Sequence, residues 1–117
     1  MSDSLALLSS LGSVEAWNDW RREHPEERPD FNRLSLYGLF SDFDTPSLVK
    51  GARAQLAGID LRGASLRGCF LEFADLAGAD LTGADLEAAI LTDAVLDGAR
   101  LDQANLRDTN LRRASLR

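Results

Sequence analysis

From Leu56 to the last residues of this chain, every fifth position is leucine: Leu56, Leu61, Leu66, Leu71, Leu76, Leu81, Leu86, Leu91, Leu96, Leu101, Leu106, Leu111 and Leu116. Two places before each stands a small residue, nearly always alanine, with Ile59, Cys69 and Thr109 the departures. On an α-helix, side chains five apart are rotated by about 140°, so these leucines would spiral round the surface and form no face. In a flat strand they would point to opposite sides in turn. A leucine-rich repeat needs a longer unit, of about 20–29 residues. What remains is a backbone that turns a corner every five residues, with each leucine facing one central axis. The small residue then points inward beside it, and the glycines after the leucines fall at corners where a positive φ is needed.

The unit A-D-L-x-x, with its A-N-L and A-S-L variants, resembles the pentapeptide-repeat family. The resemblance covers residues 54–117. It implies an all-β solenoid, a right-handed quadrilateral β-helix with four pentapeptides to a coil. All thirteen leucines, Leu56 to Leu116, are expected to form its core.

Upstream, the pattern changes. Leu5, Leu7, Leu8 and Leu11 read as a helix closed by Gly12, and Ser13 caps a second helix ending before Pro25. The fragment from Val14 to Arg21 resembles a leader found before repeats in bacterial pentapeptide proteins. A β-helix needs such a cap, because its first coil exposes an unpaired edge and an open core end. Val14, Trp17 and Trp20 are the expected cap core. The expected organisation is thus a small α-helical N-terminal cap over 1–25, a segment 26–53, and the repeat array over 54–117. In the middle segment, Phe31 and Leu36 keep the phase of Leu56, which fails at Ser41 and restarts out of step at Phe43 and Leu48. An irregular opening coil, with insertions at Leu39-Phe40 and Gly51–Arg53, and a plain linker both fit.

Chemistry-bearing residues are sparse. His24 is the sole histidine and Cys69 the sole cysteine, so neither a zinc cluster nor a Cys–His nucleophile nor an internal disulfide is expected. Cys69 sits in an inward slot, where a thiol is buried and inert. Asp75, Asp80 and Asp85 recur with the repeat and read as acceptors for turn amides rather than as catalytic acids. No cofactor, metal or enzymatic activity is expected. The formal charge of −6 disfavours nucleic-acid binding. The apolar run near Leu5–Leu11 is too short for a membrane span, and a cytoplasmic protein is expected.

The surface pattern says more. With twenty residues to a coil, one side collects Phe70, Phe73 and Ile90, with Val95 round the corner, where other sides carry polar residues. Stacked apolar residues form a patch. Either the N-terminal helices fold over it or it docks another protein. From Glu72 to Asp97 there are seven acids and no bases, whereas arginines outnumber acids from Arg100 onward. The sequence stops within the repeat, and Arg107, Leu111, Arg112 and Leu116 would lie at a bare end. Two-fold pairing through that end is expected, and it resembles what pentapeptide-repeat proteins often do. The favoured function is a non-catalytic scaffold for a protein partner. The alternative that the resemblance implies is an acidic DNA mimic that binds a type II topoisomerase such as gyrase. Ten acids against seven arginines in 54–117 make a weak mimic.

Overall fold

Parallel backbone bridges join Gln55 to Asp75, Asp60 to Asp80, Ser65 to Asp85 and Phe70 to Ile90, and the same 20-residue offset recurs down the array. The computed structural model describes residues 4–36 and 54–117. Each coil has four five-residue sides, here named after their first bridged residues: the Gln55, Asp60, Ser65 and Phe70 sides.

The hydrogen bonds explain the period. Each leucine from Leu56 to Leu96 donates its N–H to the carbonyl of the bridged residue one coil on, as from Leu81 to Arg100 at 2.8 Å. Arg100 returns its own N–H to Ala79 at 2.8 Å. The corner follows at once: Ala84 N–H bonds the Leu81 carbonyl at 2.9 Å, and Gly83 between them has φ of 70°. A four-residue turn with positive φ at its third position is a type II turn, the position that glycine occupies most cheaply. Where the sequence lacks glycine the corner persists, with Phe73, Ala88, Asp93, Gln103, Asp108 and Arg113 all near φ of 60°. A corner every five residues leaves one residue per side in bridging register, so the sides are isolated bridges rather than extended strands.

The leucines and the small residues before them fill the interior. Leu56 to Leu96 are at most 2 % exposed, and the alanines from Ala54 to Ala94 at most 1 %. Ile59 and Cys69 take small-residue slots fully buried. Thr109, the polar departure, satisfies its hydroxyl by donating to the Leu86 carbonyl at 2.7 Å. Burying one leucine contributes about 2–3 kcal/mol. The expectation of a uniform leucine core is corrected in the last coil. There Leu101, Leu106 and Leu111 are half-buried and Leu116 is 55 % exposed, since among the described residues they pack against a coil on one side only.

Two helices precede the coils, α1 (Ser4–Leu11) and α2 (Val14–Glu23). Gly12, at φ of 82°, separates them, and the Ser13 side chain accepts the Ala16 N–H as the α2 cap. Trp17 is fully buried, with its ring 5.9 Å from Phe31, while Val14 and Trp20 are only half-buried. Residues 30–36 then form two sides of an opening coil. Asp30 bridges Ser65 and Ser35 bridges Phe70, each across 35 positions rather than 20. Phe31 and Leu36 accordingly lie buried. The expected phase break at Ser41, the restart at Phe43 and Leu48 and both insertions lie outside the described residues.

Candidate docking face

Among the described residues, three sides of the first coil have their upper edges closed, by two different devices. On the Ser65 and Phe70 sides the backbone of 29–36 does it: Phe31 N–H bonds Ser65, Arg33 N–H bonds Arg67 and Leu36 N–H bonds Phe70. On the Asp60 side, α2 supplies side chains instead. Trp17 Nε1 donates to the Asp60 carbonyl at 2.9 Å, and the Asn18 amide accepts the Asp60 N–H at 2.8 Å while donating to the Gly58 carbonyl at 3.0 Å. Arg21 donates to the carbonyls of Arg62 at 2.6 Å and Glu27 at 2.7 Å. Of these, the Asp60 N–H and the carbonyls of Asp60 and Arg62 are the backbone groups that a preceding coil would engage, as Ile59, Leu61 and Gly63 engage Asp80 and Thr82 one coil on. Sequence reasoning named Trp17 but missed Asn18 and Arg21. Their spacing from Trp17, one and four residues on, sets all three on neighbouring faces of one helix, and that was the available signal.

Arg21 is 2 % exposed, and burial lowers its pKa against the opposing pull of Asp60, whose carboxylate lies 3.9 Å from Nε. Asp60 itself is gripped by Arg62 through Nε at 2.8 Å and Nη2 at 2.7 Å. Burial works to raise the Asp60 pKa. The Arg62 side-chain and backbone hydrogen bonds, with the charges of Arg62 and Arg21, outweigh it and hold the carboxyl below its ordinary value.

The recurrent acids serve the corners. Asp75, Asp80 and Asp85 accept the N–H two residues on, from Ala77, Thr82 and Glu87, each at 3.1 Å. Where serine replaces the acid, a neighbouring coil lends the acceptor: Asn32 takes the Arg67 N–H, and Asp97 takes the Arg117 N–H. Cys69 is buried with Sγ against the Phe31 carbonyl, and burial pushes its pKa up to about 12, so the thiolate nucleophile is suppressed at neutral pH. Among the described residues no group of three or more His, Cys, Asp or Glu is arranged to hold a metal.

The Phe70 side differs from the others. Its outward column runs Phe70, Ile90, Asn110, joined by bridges, whereas the Asp60 column runs Asp60, Asp80, Arg100. Phe70 is 41 % exposed and Phe73, at the next corner, 37 %. Ile90 and Val95 are half-buried, and Val95 lies past that corner in the column of Asp75. Below Phe73 the corner column continues with Asp93 and Arg113, paired at 2.9 Å. The hydrogen bonds from α2 to the coil reach Gly58, Asp60 and Arg62, on the opposite side of the square. At the far end Arg107, Arg112 and Leu116 are exposed and Leu111 half-buried.

A parallel solenoid of four-sided, five-residue-per-side coils, with an apolar stripe on one side, is the class of molecule so far defined. The pentapeptide-repeats family matches residues 54–93 and 89–117, eight copies in all. The chain belongs to the pentapeptide-repeat family. It is similar to a solved pentapeptide repeat protein of the Arabidopsis thaliana thylakoid lumen, at 31 % identity and a TM-score of 0.54 over 74 % of this chain. It spans about half, 52 %, of that protein. A Nostoc pentapeptide repeat protein is 33 % identical over 89 % of this chain and 75 % of its own, with a TM-score of 0.37. One from the cyanobacterium Cyanothece is 25 % identical over 86 % of this chain and 93 % of its own, with a TM-score of 0.35. No curated protein matches. Membership of that family, with the Arabidopsis relative, implies right-handed winding and a quadrilateral β-helix. No helix among the described residues is long and apolar enough to cross a membrane.

Proposed function

We propose that this chain is a non-catalytic interaction module of the cytoplasm, a rigid scaffold that presents Phe70, Phe73, Ile90 and Val95 to a protein partner. The observation that carries the reading is the exposure of two phenylalanines on one side of a coil whose other sides face water with polar residues. A fixed solenoid suits such a task, since its surface columns are held in register by the backbone ladder and lose little entropy on binding. The measurement is covalent cross-linking of a partner by the purified chain, compared with Phe70→Ser and with Asp80→Asn on another side. Capture lost in the first variant and kept in the second is the expected result. Equal capture by all three would defeat the reading.

We also propose a second contact, pairing of two copies through Arg107, Leu111, Arg112 and Leu116. The half-exposed leucines support it, and the arginines would have to splay or meet Asp102 and Asp108 across the junction. Solution mass of the chain and of Leu116→Glu tests it. A mass unchanged by the variant and equal to one chain, 12.8 kDa, removes it.

The topoisomerase-mimic reading ranks lower. Extents of 37 × 30 × 27 Å are nearly isotropic, unlike a duplex segment, and Arg67, Arg100 and Arg113 interrupt the acidic columns by pairing with Asp85, Asp102 and Asp93. Inhibition of gyrase supercoiling at low micromolar protein would reverse that order.

A further inference from the structure

We infer that the partner on the Phe70 side is a second copy of this chain, set alongside with its coils running the same way, about a two-fold axis parallel to the solenoid. The inference rests on the docking reading above and names the occupant. Self-complementarity carries it. Such an axis brings each column residue against its own counterpart, so a charged column meets like charge. The Gln55 column holds Asp75, the Asp60 column Asp60, Asp80 and Arg100, and the Ser65 column Asp85. The Phe70 column, with Ser35, Phe70, Ile90 and Asn110, holds no charge. The same axis lays the corner that enters this side against the corner that leaves it, coil for coil. In the upper coil the entering corner is positive. The Arg33 stem lies over Gly68, 3.4 Å from where a Cβ would stand, and Arg33 is exposed with no ion pair among the described residues. Arg67 stands beside it, held by Asp85 and Glu87. The leaving corner carries Glu72, likewise without an ion pair among the described residues, and Phe73. Arg33 of one copy therefore meets Glu72 and the Phe73 ring of the other. In the coil of Asn110 the signs reverse: Asp108 enters and Arg112 leaves, both exposed. Arg107 is the one like-charge approach to Arg112, and Asp108 next to it offsets that. In the coil between, Ala88 faces Thr92 and Asp93, and Arg113 already pairs with Asp93.

Backbone strain marks the same two corners. Seven non-glycine residues among those described have positive φ, and six of them border the Phe70 side: Arg33, Ala88 and Asp108 where the chain enters it, Phe73, Asp93 and Arg113 where it leaves. Gln103 is the seventh, and the corners between the Gln55 and Asp60 sides are Gly58, Gly78 and Gly98. A left-handed backbone disfavours L side chains, so these six cost stability that glycine would not. What they add is a rim on each edge of the Phe70 face, which a bare glycine corner lacks.

The test is sedimentation of the full chain over a range of concentrations, in a Leu116→Glu background that removes the end contact. A monomer–dimer equilibrium is expected, weakened about tenfold by Phe70→Ser. Glu72→Arg and Arg33→Glu should each weaken it about tenfold, and the double variant should recover most of that loss. Asp108→Gly should raise the melting temperature of the dilute monomer by several degrees while weakening the dimer, a combination that a packing residue does not give. Rescue of Glu72→Arg by Arg112→Glu instead of Arg33→Glu would turn one copy upside down against the other and overturn the parallel arrangement. A dimer indifferent to Phe70→Ser would overturn the inference alone. So would a monomer at every concentration, with cross-linking of a different protein through the face intact. Phe70→Ser lowering the melting temperature, with self-association and cross-linking both untouched, would assign the aromatics to the chain's own packing and overturn both readings.

Discussion

Asp60 concentrates several demands on one residue. Its backbone completes the cap by engaging Trp17 and Asn18, and its carboxylate orients Arg62 and faces the buried Arg21. A carboxyl whose pKa is lower in the folded chain than in the unfolded one stabilises the fold fully above the unfolded value, near pH 4. That contribution drains away as pH falls through the folded value. Asp60→Asn is therefore expected to be less stable than the parent at pH 7 and to show a shallower loss of stability below about pH 4, read from urea melts across pH. Parallel acid limbs for the two proteins would show that Asp60 carries no such linkage.

At the scale of the element, the corner is where sequence and backbone can be separated. Ala88, at φ of 62°, and Gly83, at φ of 70°, occupy equivalent places in neighbouring repeats, and a Cβ at Gly83 would meet nothing within 4 Å. Ala88→Gly should stabilise, and Gly83→Ala destabilise, each by about 1 kcal/mol, because only the left-handed backbone distinguishes them. The α2 cap gives a second measurement. Asn18→Ala strips partners from the Asp60 N–H and the Gly58 carbonyl and should cost about 1–3 kcal/mol, with faster hydrogen exchange at Asp60 than at Asp80. The coil was legible in the sequence because its period is enforced at every step by the same inward leucine and the same turn. The cap chemistry was not. A single amide or guanidinium can stand in for a strand's backbone groups, and such a substitution leaves no repeating trace. The same holds for Asn32 and Asp97, which serve corners a coil away from themselves.

For the whole molecule, coils depend on one another, so damage inside one spreads. Leu81 is fully buried in the second coil, and Leu81→Asp places an unpaired charge there at a cost of several kcal/mol, enough to abolish the cooperative melt followed by circular dichroism. Leu81→Ala should leave a folded but weaker chain, by about 2–5 kcal/mol. The Phe70 side was half legible: its apolar column could be counted along the sequence, whereas its exposure depended on where the helices came to rest. They came to rest across the first coil's edge, and this gives the solenoid a polarity. With the Asp60, Ser65 and Phe70 sides stoppered at that end, another copy cannot add its own coil there without first evicting Trp17, Asn18 and Arg21. Head-to-tail accretion into open filaments, the standing hazard of a stack of exposed ladders, is thereby forbidden from one direction.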